Sequence, residues 1–203
     1  MKKILYLAVA LVFILSACTQ KTPKELLDSA EAKVKAGEFK EAIVDFDKAI
    51  ELEPGNTQAL FHRGNTKTCV SDFKGAIEDY GKVLILDPKD GNAYACRGNC
   101  KKITKDYTGA IIEFDNAMKF KVNEPAKVYQ LRGFCKMQTG DLPGSQADLD
   151  KAIELNPNSA DAFLYRGQLK IQTGVLPEAC ADLAKASGLG QKEADDLIKK
   201  HCK

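Results

Sequence analysis

The sequence predicts an all-α solenoid of five helix pairs stacked in series and closed by one further helix at the C-terminal end. Three observations predict it. Arg-Gly recurs at Arg63-Gly64, Arg97-Gly98, Arg132-Gly133 and Arg166-Gly167, at steps of 34, 35 and 34 residues, and a fixed period of that length marks a repeat array. Small residues recur in phase with it, which lets paired helices approach closely. Apolar residues at helical spacing fill Glu41–Pro54, Gly75–Pro88 and Ser145–Pro157, and Pro54, Pro88 and Pro157 stop each helix.

The elements follow in chain order. Lys2 and Lys3 precede the apolar run Ile4–Leu15, which is too short for a permanent membrane span and reads as a secretory leader. Leu15-Ser16-Ala17-Cys18 resembles the lipobox of bacterial lipoproteins, and that resemblance implies cleavage after residue 17 and acylation of Cys18. The expected layout is a signal peptide at 1–17 and a tether at 18–22. Without Lys2 and Lys3 the 30 basic and 28 acidic residues become equal in number. The basic excess therefore gives no argument for nucleic acid, and no Lys/Arg run supplies one.

Repeats are expected at 23–56, 57–90, 91–125, 126–159 and 160–193, with a capping segment at 194–203. Position 8 is small in each (Ala30, Gly64, Gly98, Gly133, Gly167), as is position 20 (Ala42, Ala76, Ala110, Ser145, Ala179). Position 24 is bulky (Phe46, Tyr80, Phe114, Leu149, Leu183), to fill the space between helices. Gly37, Gly140 and Gly174 fall in the turn inside a repeat, where positive φ is useful. Repeat 3 carries Val122 where proline is expected and one extra residue, with Pro125 late; the insertion is placed in the loop before Tyr129. Repeat 5 ends at Gly188-Leu189-Gly190. Lys192–Lys200 then reads as an amphipathic helix with Ala194, Leu197 and Ile198 on one face, covering the last apolar surface.

Period and signature together resemble the tetratricopeptide repeat over nearly all of residues 23–193. The resemblance implies a right-handed superhelix whose first helices line a concave groove, and a scaffold that grips a peptide or partner there. The groove residues it implies are Phe61, Asn65, Asn99, Lys102, Gln130, Phe134, Met137, Leu164 and Gln168. Amides beside apolar groups suit an extended peptide; a solvated face without a fixed ligand is the alternative. Receptors for chaperone C-terminal tails carry Lys at position 5 and Asn at positions 6 and 9 of this repeat; this chain keeps Asn65 and Asn99 at position 9 but has no Lys at 5 and no Asn at 6, which argues against that subtype.

Arginine stands at position 7, where the family usually has leucine. Each lies 16 residues before an acid: Arg63 and Asp79, Arg97 and Glu113, Arg132 and Asp148, Arg166 and Asp182. Antiparallel helices should bring positions 7 and 23 together, predicting a ladder of partly buried ion pairs. The rival is pairing with the acid of the preceding repeat, since Asp45 has no arginine in its own. Six cysteines remain beyond Cys18 in a chain read as exported to an oxidising compartment. Cys180 and Cys202 form the candidate disulfide, with two free thiols as the alternative. Cys69, Cys96, Cys100 and Cys135 lie on parallel first helices, about 8–10 Å apart, too far for the bond, and are expected mostly as buried thiols. Cys180, His201 and Cys202 lack a fourth zinc ligand. No catalytic motif or phosphate loop stands out, so no catalytic residue, cofactor or metal is assigned.

The expected protein is thus no enzyme but an envelope adaptor binding other envelope proteins and held to the membrane by its lipid. Thr19 is not the Asp associated with inner-membrane retention, so the outer membrane, facing the periplasm, is expected in a two-membrane host. A self-associating component, its groove filled by a second copy, is the alternative.

Overall fold

A computed structural model describes residues 21–202; the leader and Cys18 lie outside them. All regular structure among the described residues is helical. Five pairs follow in order: α1 (Pro23–Ala36) with α2 (Phe39–Leu52), α3 (Thr57–Cys69) with α4 (Phe73–Leu86), α5 (Gly91–Ile103) with α6 (Tyr107–Lys119), α7 (Pro125–Thr139) with α8 (Leu142–Leu155), and α9 (Ala160–Gln172) with α10 (Leu176–Gly188). A final α11 (Lys192–His201) closes the stack. Each helix packs on its chain neighbours, and α1, α3, α5, α7 and α9 touch in succession along one face. No helix among the described residues is long and apolar enough to cross a membrane.

Local chemistry sets the helix ends. Thr22 and Glu25 form a reciprocal capping box at the start of α1, with Pro23 in its first turn. Asp72, Asp106 and Asp141 accept the backbone N–H groups of Gly75, Gly109 and Gly144 at 2.9–3.0 Å to start α4, α6 and α8. A Cβ at any of those glycines would run into the capping carboxylate. Pro125 opens α7 rather than closing α6, so the extra residue of repeat 3 lies in the 120–124 loop.

Packing follows the period. Phe46, Tyr80, Phe114, Leu149 and Leu183 are at most 1% exposed. A Cβ at Gly64, Gly98, Gly133 or Gly167 would lie 2.9–3.0 Å from the side chain at position 24 of its own repeat, which is why that position stays small. At the far end Ala194 is buried, and Leu197 and Ile198 pack beside Leu164, Leu183 and Ala186, sealing the last repeat. Burying this stripe is worth about 25 cal/mol per Å² removed from water.

Candidate functional site

The first helices place a concavity of about 340 Å³ over repeats 2 to 4. Phe61 and Asn65 of α3, Asn92 and Asn99 of α5, and Lys127, Val128 and Leu131 of α7 line it. Three amides therefore stand among apolar side chains. Asn65 accepts the Tyr80 hydroxyl at 2.7 Å through Oδ1, which turns its amide nitrogen away from that contact. Asn92 accepts the backbone N–H of Asn123 at 2.9 Å, pinning the long loop against the groove. A smaller hollow of about 270 Å³ lies over repeats 1 and 2, lined by Glu31, Phe46, His62 and Cys69 among others.

Not all the groove residues expected from sequence belong there. Phe61, Asn65 and Asn99 line the concavity over repeats 2 to 4. Met137 is buried with Leu149 and Leu169, and Leu164 is buried under α11, so both are core residues. Gln130 is buried and accepts the Ser159 hydroxyl at 2.9 Å, joining α7 to the start of α9. Gln168 donates to Glu193 of the cap at 2.8 Å. Lys102 turns its ammonium over the Phe134 ring at 5.7 Å, and burial lowers its pKa. Phe134 in turn packs against Tyr165, ring centres 4.8 Å apart. At the C-terminal end of the array the face turns inward because the cap lies on it.

The position 7 arginines make a ladder. Arg63, Arg132 and Arg166 each hold the acid of their own repeat with two bonds, Nε at 2.8 Å and Nη2 at 2.5–2.6 Å, to Asp79, Asp148 and Asp182. The third arm reaches back: Nη1 bonds Asp47, Asp115 and Asp150 of the preceding repeat at 2.6–2.7 Å. The pairing within the repeat thus occurs, while the rival does not: Asp45 is held by Lys33 and Ser29, and the backward arm takes the acid at position 25 rather than the one at position 23. Bonds to Asp148 and Asp182 raise the pKa of Arg132 and Arg166 despite partial burial. Burial would lower that of Arg63, but Asp79 and Asp47 outweigh it.

Sequence reasoning missed a second cation. Lys33, Lys67, Lys101, Lys136 and Lys170, all at position 11, bind the position 23 acid of their own repeats at 2.6–2.9 Å. Their recurrence at the same 34- to 35-residue steps was the signal available. Asp45, with Ser29 at position 7, takes bonds from Lys33 and Ser29 that outweigh its burial and hold its pKa below the ordinary range.

Cys180 and Cys202 are joined, Cα atoms 5.7 Å apart, and so offer no thiolate to a metal. Burial pushes Cys96 up to about 11, and Cys100 and Cys135 up to about 12, which keeps them as protonated thiols. Cys69 is exposed, contrary to the expectation of a mostly buried set, because it ends α3 at the rim of the smaller hollow.

Tetratricopeptide-repeat family models match residues 26–56 and 136–194. Among curated proteins none matches this sequence. Among solved structures, YrrB, described as a tetratricopeptide protein with an unusual peptide-binding site, superposes with a TM-score of 0.72 at 20% identity, covering 87% of this chain and 91% of that one. MamA from Desulfovibrio magneticus RS-1 gives 0.77 at 19%, covering 84% and 96%. PilW, described as a type IV pilus biogenesis factor, gives 0.74 at 17%, covering 84% and 79%. Identities at this level establish shared fold alone. The two matching models show that the chain carries tetratricopeptide repeats, and the shared fold extends the same solenoid along most of its length, an architecture built as a protein–protein interaction module.

Proposed function

We propose that this protein is a lipid-anchored adaptor of a bacterial cell envelope that receives an extended segment of another envelope protein in its concave face. The concavity over α3, α5 and α7 carries the reading. Asn65 on α3 and Asn92 and Asn99, two turns apart on α5, offer amides, while Phe61, Val128 and Leu131 offer apolar contact beside them. An extended peptide needs partners for its backbone N–H and C=O groups along its length, and amides among apolar walls meet that need. The peptide-binding site named for YrrB supports a peptide as occupant, and the pilus role named for PilW supports an envelope setting.

The anchor rests on the leader and on Cys18. Acyl chains there bind a bilayer at about 0.8 kcal/mol per buried methylene. Only Thr19–Thr22 separate Cys18 from α1, a span of at most about 14 Å at 3.3–3.6 Å per residue. The array then rides close to the membrane, on the periplasmic side of the outer membrane in a two-membrane host.

The test is in-cell photo-crosslinking from Asn99, with and without Asn65→Ala and Asn92→Ala. The expected result is a discrete adduct with one envelope protein that fades at least tenfold in the double variant. An undiminished adduct, or a homodimer, overturns the reading; the latter means self-association. Cys18→Ala should release the protein from the membrane pellet, and retention would refute the anchor.

A further inference from the structure

Charge is balanced in four of the five rungs of the ladder and unbalanced in one. In repeats 2, 4 and 5 an arginine and a lysine face two carboxylates, one at position 23 and one at position 25 of the repeat before. In repeat 1, Lys33 alone faces Asp45. In repeat 3, Arg97 and Lys101 share the single carboxylate of Glu113. The missing acid is at position 25 of repeat 2, which is Gly81.

The Arg97 guanidinium shows the consequence. Glu113 gives one oxygen to Lys101 and one to Arg97 Nη2, at 2.6 and 2.8 Å. The buried Nε of Arg97 has no partner, where its three counterparts each bond an aspartate. No acid among the described residues bridges Nη1. That Nε faces the Glu113 side, as the equivalent Nε groups face their own aspartates; the arm turned toward the repeat before is Nη1, which lacks the carboxylate its counterparts bind and is the one open to an acceptor. The place is shaped for one: a Cβ built on Gly81 lies 3.7 Å from Arg97 Nη1, so a carboxylate one bond further would reach it. It is also accessible. The three acids at the equivalent place are 46–56% exposed, and the Arg97 side chain, at 22%, is the most exposed of the four arginines. One turn along α4 stands Ile85, 80% exposed and the most exposed large apolar residue among those described.

From this geometry we propose that the Gly81 gap is a docking site for an acidic side chain of a partner protein, received by Arg97 and flanked by apolar contact at Ile85. The partner supplies in trans the carboxylate that Asp47, Asp115 and Asp150 supply in cis to the other rungs. A bidentate or in-line guanidinium–carboxylate contact gives orientation as well as attraction. The Tyr94 ring under the guanidinium, 5.6 Å from its centre, holds the plane in place. The site lies outside the residues lining the concavity, so a partner engaged in the groove can be gripped a second time, or a second partner held.

The test reads the Nε–Hε signals of the arginines by NMR while the protein is titrated with N-acetyl-glutamate amide, whose one carboxylate is the side chain, and with its glutamine counterpart as control. The Arg97 signal should shift and saturate with the acid alone, while those of Arg63, Arg132 and Arg166 stay in place. Gly81→Asp should abolish the response. It should also raise Tm above that of Gly81→Asn, which fills the same space without charge, by about 2–4 °C, and Arg97→Met should erase that difference. Equal movement of all four arginines, a response that survives Gly81→Asp, or equal melting of the Asp and Asn variants would overturn the site. For the partner, a photo-crosslinker at Ile85 in cells should give an adduct that Gly81→Asp removes. Acid binding in solution without any such adduct would mean that the gap takes a small free carboxylate, and the partner assignment would fall.

Discussion

Arg132 makes three short bonds, two to Asp148 at 2.6 and 2.8 Å and one to Asp115 at 2.6 Å. These two acids should differ in what they contribute. Asp148 is buried and Asp115 half exposed, and an exposed pair is worth at most about 1 kcal/mol. Arg132→Met leaves Asp148 buried with Lys136 as its remaining cation. A loss of about 2 kcal/mol is expected, less than for a wholly abandoned buried charge because the lysine stays. By calorimetry that is a fall of about 4–8 °C for a chain of this size, whereas Asp115→Asn should move Tm by no more than about 2 °C. Equal effects from both would show that the backward bond, not the pair within the repeat, secures the rung.

At the scale of the helix pair, the turn between first and second helices tests local backbone chemistry. Gly37, Gly140 and Gly174 take φ of 80–88° at the residue that reverses the chain. Ser71 and Lys105 take φ of 62° and 65° at the equivalent place in repeats 2 and 3, without the freedom of glycine. A left-handed conformation costs an L-residue about 1–2 kcal/mol. Ser71→Gly and Lys105→Gly should each raise stability by about 1 kcal/mol, less the entropy glycine adds to the unfolded chain. Gly140→Ala should lower it by a similar amount. Denaturant midpoints at unchanged m-value check all three. The same comparison shows how far sequence carries: Gly37, Gly140 and Gly174 announced their turns, while Ser71 and Lys105 gave no sign beyond their place in the period.

For the whole array, stability is a sum over neighbours, since no helix among the described residues reaches past the adjoining repeat. The ends are then the weak points, and the Cys180–Cys202 bond, closing 22 residues, ties α11 to α10. In the chain-entropy view such a loop is worth about 3 kcal/mol. Cys202→Ser should therefore speed amide exchange in α11 and α10 by about a hundredfold, while α3 to α6 exchange as before. Uniform acceleration along the chain would mean that the solenoid unfolds as one unit. Gln168 and Glu193 add a polar tie at the same junction.

The sequence by itself determined the repeat, the residues at positions 8, 20 and 24, and the cap, because these depend on contacts inside one helix pair, whose geometry the 34-residue period repeats. It also placed Arg63, Arg97, Arg132 and Arg166 opposite their own acids, as an antiparallel pair requires. What passes between pairs was decided by the tertiary structure. The reach of Arg63 back to Asp47, the burial of Met137 and Leu164, and the empty place at Gly81 depend on how each repeat is rotated against the one before it. That rotation is a sum of many side-chain contacts across the interface, and no spacing along the chain encodes it.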